Sequence, residues 1–218
     1  MQTIVIVDVG LGNLRSVQKA VERAAADRGI ACQVPLTGDP DAIARADKVI
    51  MPGQGAFRDC AAAIGRGVGE ALRGQIAAGV PYLGICLGLQ ALFDRSEEAP
   101  GMPGLSVYRG SVDRLADGAS DPESGLPVKI PHMGWNRLEM HGERRGPLSV
   151  FDRDPPFVYF VHSYHAVPTD VSLVAATTTH GPYTVTAAVQ RDNVTATQFH
   201  PEKSQDAGLL FLGAFIAL

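Results

Sequence analysis

The chain has 218 residues, of which 45% are hydrophobic and 19% charged, and its formal net charge is −4 at pH 7. These values are typical of a globular chain with a sizeable core, and they exclude an intrinsically disordered protein. The mildly acidic balance argues against a dedicated nucleic-acid-binding protein. The sequence contains no apolar run of about 18 residues, so no transmembrane helix is predicted.

The first half of the chain alternates strand and helix patterns. A β-branched run over 3–9 predicts a buried strand, and helical spacing begins at Leu14 and ends at Gly29. Further strands are predicted over 30–35, 47–51 and 81–85, and further helices over 68–78 and 87–95. This order is typical of an α/β fold with a doubly wound, mostly parallel sheet and helices on both faces.

The second half reads as short strands joined by Gly, Pro, Asp and Asn turns. They are predicted over 105–115, 128–131, 136–140, 157–162, 171–177, 183–190 and 193–199, followed by a closing helix over 205–217. Residues 116–127 predict an exposed, mobile loop. We therefore expect additional mixed or antiparallel strands, and a single domain over residues 1–218.

The start of the chain and its cysteines indicate a reduced compartment. The N-terminus lacks a basic region and reaches Asp8 too early for a signal peptide. The three cysteines are an odd number at irregular spacing, which disfavours a disulfide framework or a cysteine-rich zinc site. We expect a cytoplasmic protein in which Cys32 and Cys60 are packing residues.

The third cysteine has a distinctive context. Cys86 is the centre of GICLG, residues 84–88, between a buried strand and a helix. This strand–turn–helix pattern is typical of a nucleophile elbow, with cysteine in place of serine. The elbow would bring Cys86 to the C-terminal edge of the sheet, where the helix N-terminus favours a thiolate and the Leu87 N–H can face an oxyanion. The alternative is a buried cysteine that only packs.

A base for this nucleophile is predicted near the C-terminus. His200 ends a strand pattern, and Glu202 follows two positions later. In an extended segment, residues two apart face the same side, and Pro201 disfavours helix there. Glu202 can therefore orient one imidazole nitrogen while the other faces Cys86. The alternative is a solvated pair at a strand end.

The other histidines are weaker candidates. His162 and His165 compete as bases, but residues three apart on a strand face opposite sides, so a shared metal is disfavoured. His132 is predicted to be structural or at an interface, and His141 and His180 to be solvated. No metal site is predicted.

Two glycine-containing loops follow strands in the first half. Residues 52–55, PGQG, can bring backbone N–H groups to a substrate oxygen, although an ordinary strand-to-helix turn is the alternative. Neither this loop nor GLGN, residues 10–13, has the spacing of a phosphate or dinucleotide loop. The loops therefore do not support nucleotide binding.

Taken together, these motifs resemble the class I (triad) glutamine amidotransferases, and within them the glutaminase subunits of imidazole glycerol phosphate synthase. The matching segments span nearly the whole chain: 8–17, 51–57, 84–90, 131–136, 159–164 and 198–205. The class shares GICLG and HPE, whereas GNLRSV, PHMGWN, FVHSY and HPEKS together are more specific. The resemblance implies a flavodoxin-like amidotransferase fold.

The resemblance also implies roles for matched positions. Cys86 would attack the carboxamide of L-glutamine, His200 would transfer the proton, and Glu202 would orient His200. The remaining implied roles are an oxyanion hole at Gly53, Gln54 and Leu87; substrate contacts at Gln90, Ser163, Tyr164 and His165; and a partner interface at Asn13, His132, Met133, Trp135 and Asn136. The implied partner is a (βα)8-barrel cyclase that uses the ammonia in histidine biosynthesis, without nucleic acid, membrane or cofactor.

The sequence departs from the family pattern at three matched positions. Val9 and His165 stand where Tyr is common, and Gln54 stands where Val is common. The resemblance implies that the loop 52–55 rearranges to complete the oxyanion hole, and Gln54 could alter how readily it does so. Three alternatives stay open at this point: the amidotransferase component of anthranilate synthase, a non-catalytic partner-binding scaffold, and a stand-alone cysteine hydrolase. Trp135 could also be a core anchor instead of an interface residue.

Overall fold

The computed structural model describes residues 1–142 and 145–218, without the side chain of Arg66. Within them, the strands are β1 (Gln2–Val7), β2 (Cys32–Gln33), β3 (Leu36–Thr37), β4 (Lys48–Gly53), β5 (Tyr82–Cys86), β6 (Arg95–Ser96), β7 (Gly110–Arg114), β8 (His132–Arg137), β9 (Glu139–Met140), β10 (Phe157–His162), β11 (Tyr164–Pro168), β12 (Val174–His180), β13 (Tyr183–Arg191) and β14 (Val194–Thr197).

The α-helices of the same residues are α1 (Leu14–Asp27), α2 (Pro40–Ala44), α3 (Phe57–Ala63), α4 (Gly69–Ala77), α5 (Leu87–Gln90) and α6 (Gln205–Ile216). A π-helical turn, Ile64–Val68, joins α3 to α4, and 3₁₀ turns cover Gly146–Phe151, Val171–Leu173 and Pro201–Lys203. Among the helices of the described residues, none has the length and apolarity needed to cross a bilayer.

The main sheet combines a parallel half with an antiparallel half. Its strand order is β2-β1-β4-β5-β14-β13-β12-β9, and β3 also pairs with β1. The pairs from β2 to β14 are parallel, and those from β14 to β9 are antiparallel. Two smaller sheets are β10-β8 and β11-β7-β6. This topology confirms the predicted fold class, including the antiparallel extension.

The core lies on both faces of the parallel half, as β1 illustrates. Ile4 and Ile6 are buried in the cluster that contains α1 and α6, whereas Val5 and Val7 are buried in the cluster that contains α2, α3 and α4. Since successive side chains of a strand face opposite sides, both faces must be apolar. This explains the β-branched run from which the strand was predicted.

The helix predicted over 87–95 is too long, because α5 ends at Gln90. The Leu92 carbonyl accepts hydrogen bonds from the backbone N–H groups of Val107 and Tyr108, at 2.9 and 3.0 Å. A carbonyl already bonded to another segment is unavailable to a continuing helix. The chain therefore turns away into β6.

Other differences concern short elements. The strand predicted over 128–131 is wrong, since β8 begins at His132. Strands β3, β6 and β11 and helices α2 and α3 are missing from the sequence-based prediction. Helix α2 has five residues, with Asp39 as its N-cap and Ile43 as its buried residue, too few for a periodic pattern. The closing helix and the exposed position of loop 116–127 are confirmed.

Candidate active site

Cys86 occupies a strained turn between β5 and α5. Its backbone angles are φ 54° and ψ −101°, a region that residues with a side chain rarely adopt. A methyl group at Gly84 would collide with the Gly88 carbonyl, and one at Gly88 would overlap the Met51 carbonyl of β4. The two glycines therefore allow the turn to pack against its neighbours, as the elbow interpretation requires.

The elbow opens into a cavity of about 380 Å³ at the C-terminal edge of the parallel strands. Cys86 is 7% exposed, and the register of β4 and β5 pairs it with Gly53. The cavity is lined by Cys86 with Gln54, Gly55, Leu87, Gln90, Glu98, Pro131, Val161, His162, Ser163, Tyr164 and Lys203. The expected nucleophile thus lies at the wall of a small-molecule-sized pocket.

The predicted base and its orienting carboxylate are hydrogen-bonded. His200 Nδ1 lies 2.8 Å from Glu202 Oε1, and both side chains are 2% exposed. The local geometry differs from the predicted extended segment, because residues Pro201–Lys203 form a 3₁₀ turn. His200 itself is extended, so Glu202 reaches back to its ring. The alternative of a solvated pair is wrong.

The charge environment of His200 favours the protonated ring. Burial by itself lowers the pKa of His200, but its interactions with the Cys86 sulfur and the Glu202 carboxylate outweigh burial and raise that pKa to about 9. Its Nε2 atom is buried and has no hydrogen-bond partner among the described residues. The predicted base is thus held at Nδ1, and its Nε2 has no hydrogen bond within the described part of the chain that would compete with proton transfer.

Two buried glutamines connect the thiol to the backbone of the pocket. Gln198 Nε2 lies 3.4 Å from Cys86 Sγ, and Gln198 Oε1 accepts a hydrogen bond from Gln90 Nε2 at 3.2 Å. Gln90 Nε2 also donates to the Tyr164 carbonyl at 3.0 Å. Gln198 is absent from the sequence-based prediction, since nothing in its local pattern indicates that it faces Cys86.

A cluster of three histidines adjoins the pocket through His162, which lines it. His132 Nδ1 is 3.0 Å from His162 Nε2, and His132 stacks on His180 with ring centroids 4.1 Å apart. Burial and then the neighbouring His180 lower the pKa of His132 to about 4, and burial also lowers that of His162. Within residues 1–142 and 145–218, no three His, Cys, Asp or Glu side chains are arranged to hold a metal ion.

These positions change two of the histidine predictions. His132 is 3% exposed, so the free chain buries the side chain that was expected at a partner interface, and the structural alternative holds. His180 is half-buried and its Nε2 bonds the Lys129 carbonyl at 2.9 Å, so it is not simply solvated. His162 lines the cavity but bonds to His132 and the Tyr164 carbonyl, which occupies both of its ring nitrogens.

The remaining interface candidates lie at the surface or just below it. Met133 is 61% exposed and Trp135 is 46% exposed, which excludes Trp135 as a core anchor. Both belong to the outward-facing positions of β8. Asn13 is exposed and caps α1 through Ser16 N, and Asn136 is half-buried. The structure thus presents Met133 and Trp135 as a neighbouring apolar pair.

The predicted substrate contacts divide into two groups. Gln90, Ser163 and Tyr164 line the cavity, but His165 does not. His165 follows Tyr164 on β11, where successive side chains face opposite sides of the strand. Its side chain is therefore directed away from the cavity, so a substrate contact at this position is restricted to the backbone.

The predicted oxyanion loop packs tightly against the elbow. A methyl group at Gly53 would lie 2.8 Å from Leu87 Cβ. The Gln54 side chain, which replaces the common Val, lines the cavity, and its Nε2 is 3.5 Å from His200 Nδ1. The backbone of this loop therefore packs close to the Cys86 elbow, and the side chain of Gln54 lies close to His200.

Two charged residues of the pocket are missing from the sequence-based prediction. Glu98 and Lys203 line the cavity together with Cys86. Glu98 Oε2 accepts from Phe57 N at 2.9 Å, and Lys203 Nζ lies 5.7 Å from the Tyr159 ring centroid. A carboxylate and an ammonium group match the two opposite charges of an amino-acid zwitterion. Glu98 is part of an ordinary polar run, so no sequence signal identifies it.

The chain is similar to known proteins in sequence and in fold. Residues 6–214 match the family model described as glutamine amidotransferase class-I. A crystal structure of a glutamine amidotransferase superposes with a TM-score of 0.68 at 19% identity, covering 98% of this chain and 99% of that one. At that identity, the superposition supports the fold alone.

Full-length relatives narrow the assignment. The chain is 48% identical to imidazole glycerol phosphate synthase subunit HisH of Syntrophotalea carbinolica, over 97% of this chain and 98% of the relative. It is 44% identical to the HisH subunit of Geobacter sulfurreducens, over 99% of this chain and 98% of the relative. The chain therefore belongs to the class-I glutamine amidotransferase family and, within it, to the HisH family of imidazole glycerol phosphate synthase subunits. This confirms the resemblance and the predicted enzyme class.

Proposed function

We propose that this chain is the glutaminase subunit of an imidazole glycerol phosphate synthase. It hydrolyses L-glutamine to glutamate and ammonia, and it passes the ammonia to a (βα)8-barrel cyclase in histidine biosynthesis. The cyclase uses the ammonia to form imidazole glycerol phosphate and aminoimidazole carboxamide ribotide. The HisH relatives, 44–48% identical over nearly the full chain, support this role.

In the first half of the proposed reaction, the Cys86 sulfur attacks the side-chain carboxamide carbon of glutamine. The carbon–nitrogen bond breaks, and protonated His200 gives its Nε2 proton to the departing ammonia. A γ-glutamyl thioester remains on Cys86. Glu202 keeps His200 oriented, while backbone N–H groups at Gly53, Gln54 and Leu87 stabilise the oxyanion.

In the second half, water attacks the thioester carbon and the carbon–sulfur bond breaks. His200 accepts a proton from the water, and glutamate leaves as Cys86 is regenerated. Glu98 and Lys203 are suited to the ammonium and carboxylate groups of the substrate, because their charges are opposite to those groups. Met133 and Trp135 supply apolar surface for the cyclase.

One observation carries the proposal. A cysteine on a nucleophile elbow and a buried His–Glu pair 2.8 Å apart belong to the same site, and the Cys86 sulfur contributes to the raised pKa of His200. A packing cysteine would not require a buried, carboxylate-paired histidine beside it. A scaffold without catalysis would have no use for this costly buried charge pair.

The test measures glutaminase activity of the chain with and without a (βα)8-barrel cyclase and its nucleotide ligand. We expect low activity alone, stimulation in the complex, and loss of activity in Cys86→Ala. The matched control is Cys60→Ala, since Cys60 is a buried thiol in the core away from the cavity. Full ammonia production by Cys86→Ala in the complex would contradict the proposal, and high activity without a partner would indicate a stand-alone hydrolase.

A further inference from the structure

We propose that Gln198 is a positioning residue for the nucleophile: its side-chain N–H donates to the Cys86 sulfur, favours the thiolate and holds it toward the cavity. This inference rests on the proposed role of Cys86 as nucleophile. Gln198 does not line the cavity, so it acts through Cys86 and does not touch the substrate.

The position of Gln198 follows from strand register. Strands β14 and β5 are parallel neighbours, with Thr197 paired to Ile85. Gln198 follows Thr197 and Cys86 follows Ile85, so Gln198 and Cys86 lie side by side where the two strands end. Gln198 is fully buried, and its Nε2 is 3.4 Å from Cys86 Sγ.

The direction of this hydrogen bond is determined by a carbonyl group. The Tyr164 carbonyl can only accept, so Gln90 must present its amino group there, at 3.0 Å. The same amino group meets Gln198 at 3.2 Å, and Gln198 must offer its oxygen to it. Gln198 therefore turns its amino group, a donor, toward the sulfur.

The Tyr164 carbonyl is itself held by a second donor. His162 Nδ1 lies 3.0 Å from it, and His162 Nε2 faces His132 at 3.0 Å. Since the carbonyl cannot donate, His162 carries its proton on Nδ1. Two donors thus occupy the carbonyl, which leaves the orientation of Gln90 and Gln198 with little freedom.

A hydrogen-bond donor at this position influences whether the Cys86 sulfur is protonated. A thiol sulfur is a weak acceptor, whereas a thiolate accepts hydrogen bonds strongly. A buried N–H aimed at sulfur therefore favours the deprotonated form over the neutral form. Because the thiolate is the attacking species, loss of this donor reduces the reactive fraction of Cys86 at neutral pH.

The test is alkylation of Cys86 by iodoacetamide in the full chain, followed from about pH 6 to about pH 10. The sulfur forms a bond to the methylene carbon and iodide leaves, so the rate reports the thiolate without glutamine binding. Peptide-resolved mass spectrometry separates Cys86 from the half-buried Cys32, which serves as an internal control.

For Gln198→Met, which keeps the size of the side chain and removes the donor, we expect Cys86 alkylation near pH 7 to fall about tenfold. The rates of variant and native chain should converge at high pH, where both thiols are ionised. Gln198→Glu also removes the donor and adds a negative charge, so in this variant the pH–rate profile of Cys86 alkylation should shift further toward high pH. Cys32 should be unaffected in both variants.

The matched control is Gln75→Met, because Gln75 is another buried glutamine and donates to the Ala46 carbonyl at 2.9 Å. It should keep the native Cys86 profile. A native pH–rate profile of Cys86 alkylation in Gln198→Met, or an equal change in rate at every pH, would overturn the inference. If Gln198→Met does not fold, Gln198→Glu serves as the second test. A shifted pH–rate profile combined with full glutaminase activity of Cys86→Ala would support the hydrogen bond from Gln198 to Cys86 and overturn the proposed function.

Discussion

Two buried histidines of this protein respond to burial in opposite ways. The pKa of His200 is raised to about 9, whereas that of His132 is lowered to about 4. Burial lowers both, but His200 faces a carboxylate and a sulfur, and His132 faces other histidines. The charge of the neighbouring group therefore decides the protonation state of a buried imidazole.

The two histidines accordingly belong to different networks. His200 and Glu202 form an ionisable pair that can hold and move a proton. His132 and His162 belong to a series of hydrogen bonds between neutral groups, which continues through the Tyr164 carbonyl and the buried glutamines to Cys86. In this series each donor already has an acceptor, so an extra proton would place two N–H groups opposite each other. We propose that the first network transfers protons and that the second positions groups.

Both networks depend on the elbow that presents Cys86. We therefore expect a substitution that disrupts this turn to be the most damaging. Gly88→Ala would force a methyl group into the Met51 carbonyl. We expect a loss of several kcal/mol of folding stability, about 3 kcal/mol or more, measured by urea unfolding. The matched control is Gly74→Ala, an open position in α4, which should be neutral or stabilising by about 0.5–1 kcal/mol. Equal stability of the two variants would contradict this account of the turn.

The next prediction removes the ionisable network alone. His200→Asn retains a polar side chain but lacks a base, so glutaminase activity in the complex should fall by about 10²–10⁴-fold. The control is His141→Asn, an exposed histidine outside the cavity, which should keep native activity. If His200→Asn retained native activity, the assignment of the base would be wrong.

A smaller effect is expected when the partner charge is changed and the ring is kept. Glu202→Gln removes the carboxylate, so burial should bring the pKa of His200 below about 9, and activity should fall about tenfold. Histidine ring signals in an NMR titration measure the pKa directly. Glu123→Gln, in the exposed loop, is the control and should leave the titration of His200 unchanged. An unchanged titration of His200 in Glu202→Gln would contradict the role of the carboxylate in raising the pKa of His200.

The last prediction concerns the pH dependence of folding stability, to which the two histidines contribute with opposite signs. His132 has a folded pKa below the unfolded value of about 6.5, so the unfolded chain binds the proton first and stability falls as pH drops from about 6.5 toward 4. His200 has a raised folded pKa, so its contribution is full below about pH 6.5 and is lost as pH rises through about 9.

Each histidine changes the slope of folding stability against pH by at most about 1.4 kcal/mol per pH unit within its window. His132→Gln, which can still donate to His162, should flatten the acid side of the stability profile, and Glu202→Gln should flatten the alkaline side. Urea unfolding at several pH values measures both. The comparison would be refuted if His132→Gln changed the alkaline side instead.

Much of this molecule could be predicted because the relevant patterns are local. The run at β1 must be apolar on both faces, and the glycines of GICLG are required by one turn. His200 and Glu202 are two residues apart, so a short stretch of backbone is enough to bring them together. The short elements α2 and α5 were missed or misjudged because too few residues repeat.

The parallel α/β layers, the elbow at Cys86 and the His200–Glu202 pair could be predicted, since each depends on neighbouring residues and on side-chain periodicity. The contact of Gln198 with Cys86, the place of Glu98 in the pocket and the burial of His132 arise from the tertiary structure. Gln198 and Cys86 are 112 positions apart, and they meet through the register of β14 against β5. Such register follows from the packing of the whole sheet, which no local pattern encodes.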